Sequence, residues 1–112
     1  MNNLSKRHCK PCEGGVCPLD GQQSMHHLED LPGWQLTDDG KSIARKFAFE
    51  NFQATMSFIN IMAEMAEAEG HHPDFCAGYN YCKVTYTTHA INGLSENDFI
   101  CAAKINDFVD TR

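Results

Sequence analysis

The segment Asn51 to Glu69 constrains the fold more than any other part of the chain. Phe52, Met56, Ile59, Met62 and Ala66 recur at helical spacing, and Phe58, Ile61 and Met65 widen the stripe. That pattern predicts one long amphipathic helix. Asn51 is placed to cap its first turn, and Gly70 to adopt the left-handed conformation that ends it. So broad an apolar surface fits a core helix, and it fits equally a helix that also meets a second copy of the chain.

The elements around that helix follow from shorter signals. Trp34 to Thr37 and Ser42 to Glu50 read as strands joined by Asp38-Asp39-Gly40, since Asp-Gly favours a hairpin. In the second strand Ile43, Phe47 and Phe49 share a face by period two, and Arg45 interrupts that face at its expected solvated end. Pro73 to Gly78 reads as a loop, and Asn80 to Thr88, rich in β-branched and aromatic residues, as a third strand. Asn92-Gly93 turns the chain, and Ser95-Glu96-Asn97-Asp98 is a capping-box pattern opening a last helix that carries Phe99, Ile100, Ala103, Ile105 and Phe108. Residues 1–23, punctuated by Pro11, Gly14, Gly15, Pro18 and Gly21, read as an irregular arm. A short helix follows, capped by Ser24 or Asp20, with Leu28 and Leu31 as its apolar contacts and Pro32-Gly33 as its stop. The order strand, strand, helix, strand, helix predicts an α+β fold with helices on one face of an antiparallel sheet. The chain therefore divides into the arm, 1–23, and one domain, 24–112.

Composition excludes several function classes. The 112 residues suffice for one domain with a modest core, and 42% hydrophobic with 21% charged content is ordinary for a globular protein. A net charge of -6 argues against a nucleic-acid binder that neutralises phosphates. No apolar run approaches the roughly 20 residues that span a bilayer. Met1 to Lys10 is polar and lacks the apolar centre of a secretory signal. The expectation is a soluble cytoplasmic protein with no nucleic-acid or membrane partner, whose six cysteines are free thiols rather than a disulfide framework.

The chemistry-bearing residues gather at the ends of elements. Glu67-Ala68-Glu69-Gly70-His71-His72-Pro73 closes the long helix, and His89 closes the third strand. Imidazole titrates near about 6.5, so it can give and take a proton at neutral pH. Glu67 and His71 are four apart across the helix end, within reach of each other, and a carboxylate on one ring nitrogen raises the basicity of the other. Pro73 biases His72 to extended backbone. Other readings stand beside a catalytic one. Histidines such as His26-His27 are commonly a solvated helix face, and three imidazoles with Glu67 could ligate zinc, though adjacent histidines do not easily converge on one ion. Cys9-x-x-Cys12 with Cys17 and His8 has the look of half a zinc site and reads equally as an arm with free thiols. Asp98 is most simply a helix-capping carboxylate, and Tyr79 a packed aromatic.

From about Trp34 to Phe108 the chain resembles the pterin-4a-carbinolamine dehydratases. The resemblance rests on Gly33-Trp34, the Glu-x-x-x-His-His-Pro helix end, Tyr79, Thr88-His89, and Gly93-Leu94-Ser95-Glu96 leading to Asp98. The run Cys9 to Gly15 is similar to an N-terminal extension of many members. The resemblance implies a four-stranded antiparallel sheet, the fourth strand coming from a split of Phe75 to Thr88. It also implies a homo-oligomer, a dimer or a tetramer. The implied reaction is dehydration of 4a-hydroxytetrahydropterin to quinonoid dihydropterin, which recycles the cofactor of aromatic amino-acid hydroxylases and needs no metal or other cofactor. His71 and His89 become the acid/base candidates, His72 holds substrate, and Glu67 orients His71. Pro73, Thr88, His89, Ala90 and Ile91 line the pterin, with Phe75 as a wall. Phe75 stands where Trp is common in the family, Ala90 where an acidic residue is common, and Asn92 where Gly is. The alternative function is non-catalytic: pterin binding, or protein assembly as a dimerisation cofactor for a transcription factor.

Overall fold

The computed structural model describes residues 4–10 and 17–110. Four strands, β1 (Gln35–Leu36), β2 (Ile43–Ala48), β3 (Asp74–Ala77) and β4 (Tyr81–Tyr86), form one antiparallel sheet in the order β1-β2-β4-β3. Three helices, α1 (Gly21–Leu28), α2 (Phe52–Glu69) and α3 (Glu96–Asp110), accompany it, with single 3₁₀ turns at Leu4–Lys6 and His89–Ile91. The α+β arrangement expected from the element order is the one observed.

Alternation decides which face of the sheet is covered. Ile43 and Phe47 on β2 and Cys82, Val84 and Tyr86 on β4 are buried, while Lys46 and Lys83, paired across the two strands, are exposed. The buried row packs against Phe58, Ile59 and Met62 of α2 and Phe99, Ile100 and Ile105 of α3. Phe47 and Phe58 are in ring contact with centroids 4.8 Å apart.

The long helix has the expected ends. Asn51 accepts a hydrogen bond from the Ala54 amide at 2.8 Å, and Gly70, with φ of 65°, ends it. A positive φ is cheap only for glycine, and it lets the His71 amide close back on the Ala66 carbonyl. The buried stripe is Thr55, Phe58, Ile59, Met62 and Ala66. Phe52 and Met56, expected on it, are exposed instead. Thr55 takes the inward position, its hydroxyl donating to the Tyr79 carbonyl at 3.0 Å.

The stretch read as a loop from Pro73 to Gly78 contains β3, which turns at Gly78 into β4 and pairs Asp74 with Thr85 through Ala77 with Cys82. As an exposed edge strand with no buried face it lacks the alternation that reveals strands. Arg45 is not at a solvated end. It donates to Asn106 Oδ1 and to the Pro32 carbonyl, with its guanidinium carbon 4.4 Å from the Phe47 ring centre. Asn106 also accepts from the Trp34 indole at 2.9 Å.

The described residues of the arm pack against the domain. Leu4 is buried in the core beside α3, and Asp20 with Gln23 forms the capping box of α1, so the expected boundary at residue 23 falls inside a helix. Asp20 is the cap and Ser24 lies within the helix, buried. Cys12, with Pro11 and 13–16, lies outside the described residues. The five described cysteines, Cys9, Cys17, Cys76, Cys82 and Cys101, are free thiols. Among the described residues no helix is long and apolar enough to cross a membrane.

Candidate active site

A cleft of about 520 Å³ opens where α2 ends. His71 and His72 line it from the helix end, and Thr87, Thr88, His89 and Ala90 line it from the turn after β4. The three histidines singled out from the sequence therefore reach one site. The turn that carries His89 is held by a Thr88–Gly93 bridge and by Asn92, which adopts φ of 53° and donates its amide to the His89 carbonyl.

The carboxylate partners are distributed differently from the expectation. His71 leaves the helix through the left-handed Gly70 and meets Asp98, with Nε2 2.6 Å from Oδ1. Glu67 pairs instead with His72, at 2.6 Å, on the exposed side of the last turn. The two pairs differ in environment. The His71 and Asp98 side chains are 13% and 0% exposed, whereas those of His72 and Glu67 are 61% and 77%. An ion pair open to solvent is weak, so Glu67 does little to fix His72, whereas a buried contact fixes its partner firmly.

Asp98 is both the capping carboxylate expected and more. Its Oδ2 accepts from the Ser95 amide at 2.9 Å and from the Thr88 hydroxyl at 2.8 Å, leaving Oδ1 for His71. An ionised carboxylate only accepts, so the shared proton belongs to His71 Nε2. A neutral His71 then carries its lone pair on Nδ1. Beneath it lies Tyr86, whose ring is 13° from parallel at a centroid distance of 5.3 Å and whose hydroxyl donates to the His71 carbonyl. Burial first, and Cys101 beside it, push the Tyr86 phenol well above its ordinary value, so it remains a donor.

Several expected residues lie elsewhere. Pro73 and Ile91 are half-buried neighbours of His72 and Ala90 but do not line the cleft. Phe75, half-exposed on β3, is not part of its wall. Tyr79 is 64% exposed at the β3–β4 turn rather than packed. His26 is exposed on α1, and His27 lies against Phe99 with ring centroids 4.9 Å apart. Among the described residues no group of three or more His, Cys, Asp or Glu side chains is placed to hold a metal ion.

Sequence reasoning missed one wall altogether. Cys9, Lys10, Glu69 and Asn97 line the cleft too. Glu69 accepts from the Cys9 amide at 2.7 Å and pairs with His8 at 2.9 Å, and Lys104 stands 3.7 Å away. Burial pushes the Glu69 carboxyl up, but the Cys9 amide, His8 and Lys104 outweigh it, and the net shift is downward. Asn97 exchanges two hydrogen bonds with the Lys10 backbone, as one strand would with another.

The family model described as pterin 4 alpha carbinolamine dehydratase matches residues 17–108. The "Putative pterin-4-alpha-carbinolamine dehydratase" of Nitrosomonas eutropha is 54% identical over 105 residues, covering 93% of this chain and 91% of the relative. A relative of the same name from Legionella pneumophila is 49% identical over 106 residues, 94% of each. A solved structure described as a transcriptional coactivator/pterin dehydratase from Brucella melitensis superposes with a TM-score of 0.77 at 36% identity, over 80% of this chain and 96% of that one. A pterin dehydratase-like protein identified as a RuBisCO assembly factor in the alpha-carboxysome shares the fold, with a TM-score of 0.60 at 23% identity, over 70% of this chain and 90% of that one.

Proposed function

The chain belongs to the pterin 4 alpha carbinolamine dehydratase family, and from that premise we propose that its cleft dehydrates 4a-hydroxytetrahydropterin to quinonoid dihydropterin and water. The observation that carries this reading is the convergence of His71, His72 and His89 on one cleft, with the His71 ring fixed by a buried carboxylate.

The reaction is an elimination across C4a and N5. A proton goes to the 4a-hydroxyl, the C4a–O bond breaks with its electron pair leaving in water, and the N5 lone pair becomes the new C=N bond. A base then takes the N5 proton. The elimination involves no net oxidation or reduction, so acid/base groups meet the whole demand. His71 and His89 fill these roles, and the face of the ring that carries the hydroxyl decides which is acid and which is base. Asp98, rather than Glu67, is the positioning residue for His71, leaving Nδ1 to take a proton when His71 is the base and, once protonated, to give it when His71 is the acid. His72 holds the substrate. Thr88, His89 and Ala90 frame it, and Pro73 and Ile91 set the backbone on either side. The physiological role that fits this chemistry is recycling of the pterin used by aromatic amino-acid hydroxylases.

The test is stopped-flow ultraviolet absorbance of freshly generated 4a-hydroxytetrahydropterin with and without the protein. Faster appearance of the quinonoid product, lost when His71 and His89 are both replaced by Ala, is the expected result. No acceleration by a folded protein would move the assignment to a second reading, pterin binding or protein assembly without turnover. Two features favour an assembly role: Phe52 and Met56 lie one turn apart and exposed on α2, and β3 leaves one edge of the sheet open. Both surfaces fit a homo-oligomer, which sedimentation would register as a dimer or a tetramer.

A further inference from the structure

Outside the histidine cluster, the cleft wall holds a pair of sulfurs with no part in the proposed chemistry. Cys9, half-buried, lines the cleft from the arm, and Cys101 is fully buried on α3. Their Sγ atoms are 3.5 Å apart although 92 residues separate them in sequence. A disulfide needs about 2.05 Å, so a closure of about 1.5 Å would join them. Cys9 stands outside any helix or strand, and the backbone around it is anchored by Glu69 at its own amide and by Asn97 at Lys10. The arm is thus held in register for a bond it has not made.

We propose that Cys9 and Cys101 are a modification site, forming a reversible intramolecular disulfide that ties the arm to α3 at the cleft. The oxidant is a peroxide. Cys9, the sulfur that reaches the cleft, attacks the O–O bond as its thiolate and becomes a sulfenic acid with release of one water after proton transfer. The Cys101 sulfur then attacks the sulfenic sulfur, the S–O bond breaks, and a second water leaves. Two thiols and one hydrogen peroxide give one disulfide and two waters.

The surroundings of Cys9 set the tempo of the first step. Its hydrogen bond with Cys101 comes first, burial second, and both push the thiol well above its ordinary range; Glu69 adds to this and His71 opposes it. The thiolate is therefore scarce at neutral pH, and oxidation accelerates as the pH is raised. The same reluctance to form a thiolate makes the disulfide hard to reduce once made.

The experiment uses the full reduced chain, dilute, treated with hydrogen peroxide, alkylated and digested without reductant. The expected product is a Cys9–Cys101 linked peptide lighter by two hydrogens than the two thiol peptides. It should form about 100-fold faster at about pH 9 than at about pH 7, because a thiol titrating above both gains thiolate about tenfold per pH unit, and dithiothreitol should reverse it. The urea midpoint of wild type should rise on oxidation, and that of Cys9→Ser and of Cys101→Ala should not. Recovery of both cysteines alkylated, or linkage of Cys9 to Cys12 or Cys17 instead, overturns the proposal. These readouts do not depend on turnover, so they stand or fall apart from the dehydratase reading.

Discussion

Asp98 lies 27 residues beyond His71, yet its Oδ1 sits 2.6 Å from the His71 Nε2 while its Oδ2 holds the Thr88 hydroxyl and the Ser95 amide. One buried carboxylate thereby ties together the end of α2, the end of β4 and the start of α3. Replacing it by Asn keeps an acceptor for Ser95 but offers His71 an amide in place of an anion. We expect Asp98→Asn to lower kcat by about 10- to 100-fold with KM little changed. A kcat equal to wild type would show that the contact is structural only.

Turnover should separate the histidines. His71→Ala and His89→Ala should each slow the reaction by about 100-fold, the span of a lost acid or base. His72→Ala should act chiefly on KM, and His26→Ala should leave the rate unchanged. Glu67→Ala should also keep kcat, because its partner is His72 and both are open to solvent. Equal rates across the series would remove the cleft from consideration.

The arm should depend on Glu69. Glu69→Ala strips the Cys9 amide of its acceptor and should cost about 2 kcal/mol in denaturant unfolding. Amide exchange in residues 7–10 should speed up before that of α3. Because the folded carboxyl lies below its ordinary value of 4.5, its contribution is present above that value and is lost as the pH falls through the folded value. Glu69→Gln should therefore flatten the acid limb of stability against pH.

His27 should act on the same acid limb, at higher pH. Burial against Phe99, with His26 and Arg7 adding to it and Glu96 and Asp30 opposing, holds its imidazole below the ordinary 6.5. The fold keeps the neutral ring while the unfolded chain takes up a proton, so stability declines as the pH falls below about 6.5 toward the folded value. His27→Phe preserves an aromatic against Phe99 and should remove that decline, as read by the urea midpoint at pH 7.5 and at pH 5.5, set on either side of about 6.5.

Asn106 offers a fluorescence test of the core. It accepts from both Trp34 and Arg45, so Asn106→Leu leaves a buried indole N–H and a half-buried guanidinium without that acceptor. A loss of about 2 kcal/mol is expected. Trp34 is the chain's one tryptophan, so a shifted emission maximum would report the change directly. An unchanged spectrum and stability would show that Pro32 alone satisfies the arginine.

The elements legible in the sequence were those whose periodicity is enforced by burial. The α2 stripe with Asn51 and Gly70 is local information, whereas the α1 cap is open between Ser24 and Asp20 in the sequence and is settled by the Asp20–Gln23 pair. β3 was not legible from its residues because none of them is buried, and only the family resemblance supplied it. The histidines of the cleft were visible because they sit at element ends. Their carboxylates were assigned by proximity in sequence, which favours Glu67 for His71. A single left-handed residue at Gly70 redirects His71 to a partner no spacing rule could indicate. The wall made by Cys9, Lys10 and Asn97 depends on contacts across almost the whole chain and leaves no trace in any window.

That wall has a consequence for synthesis. Ser5, Arg7, Cys9 and Lys10 find partners at Glu96, Asn97, Cys101 and Lys104 on α3, and Cys9 a further one at Glu69, where α2 ends. Their docking closes a very long loop and is expected late in folding. On a ribosome the arm emerges well before α3 and waits for the helix that receives it. A chain cut short before α3 would keep His71, His72 and His89 and lose both Asp98, which fixes the first of them, and Asn97, which holds the arm.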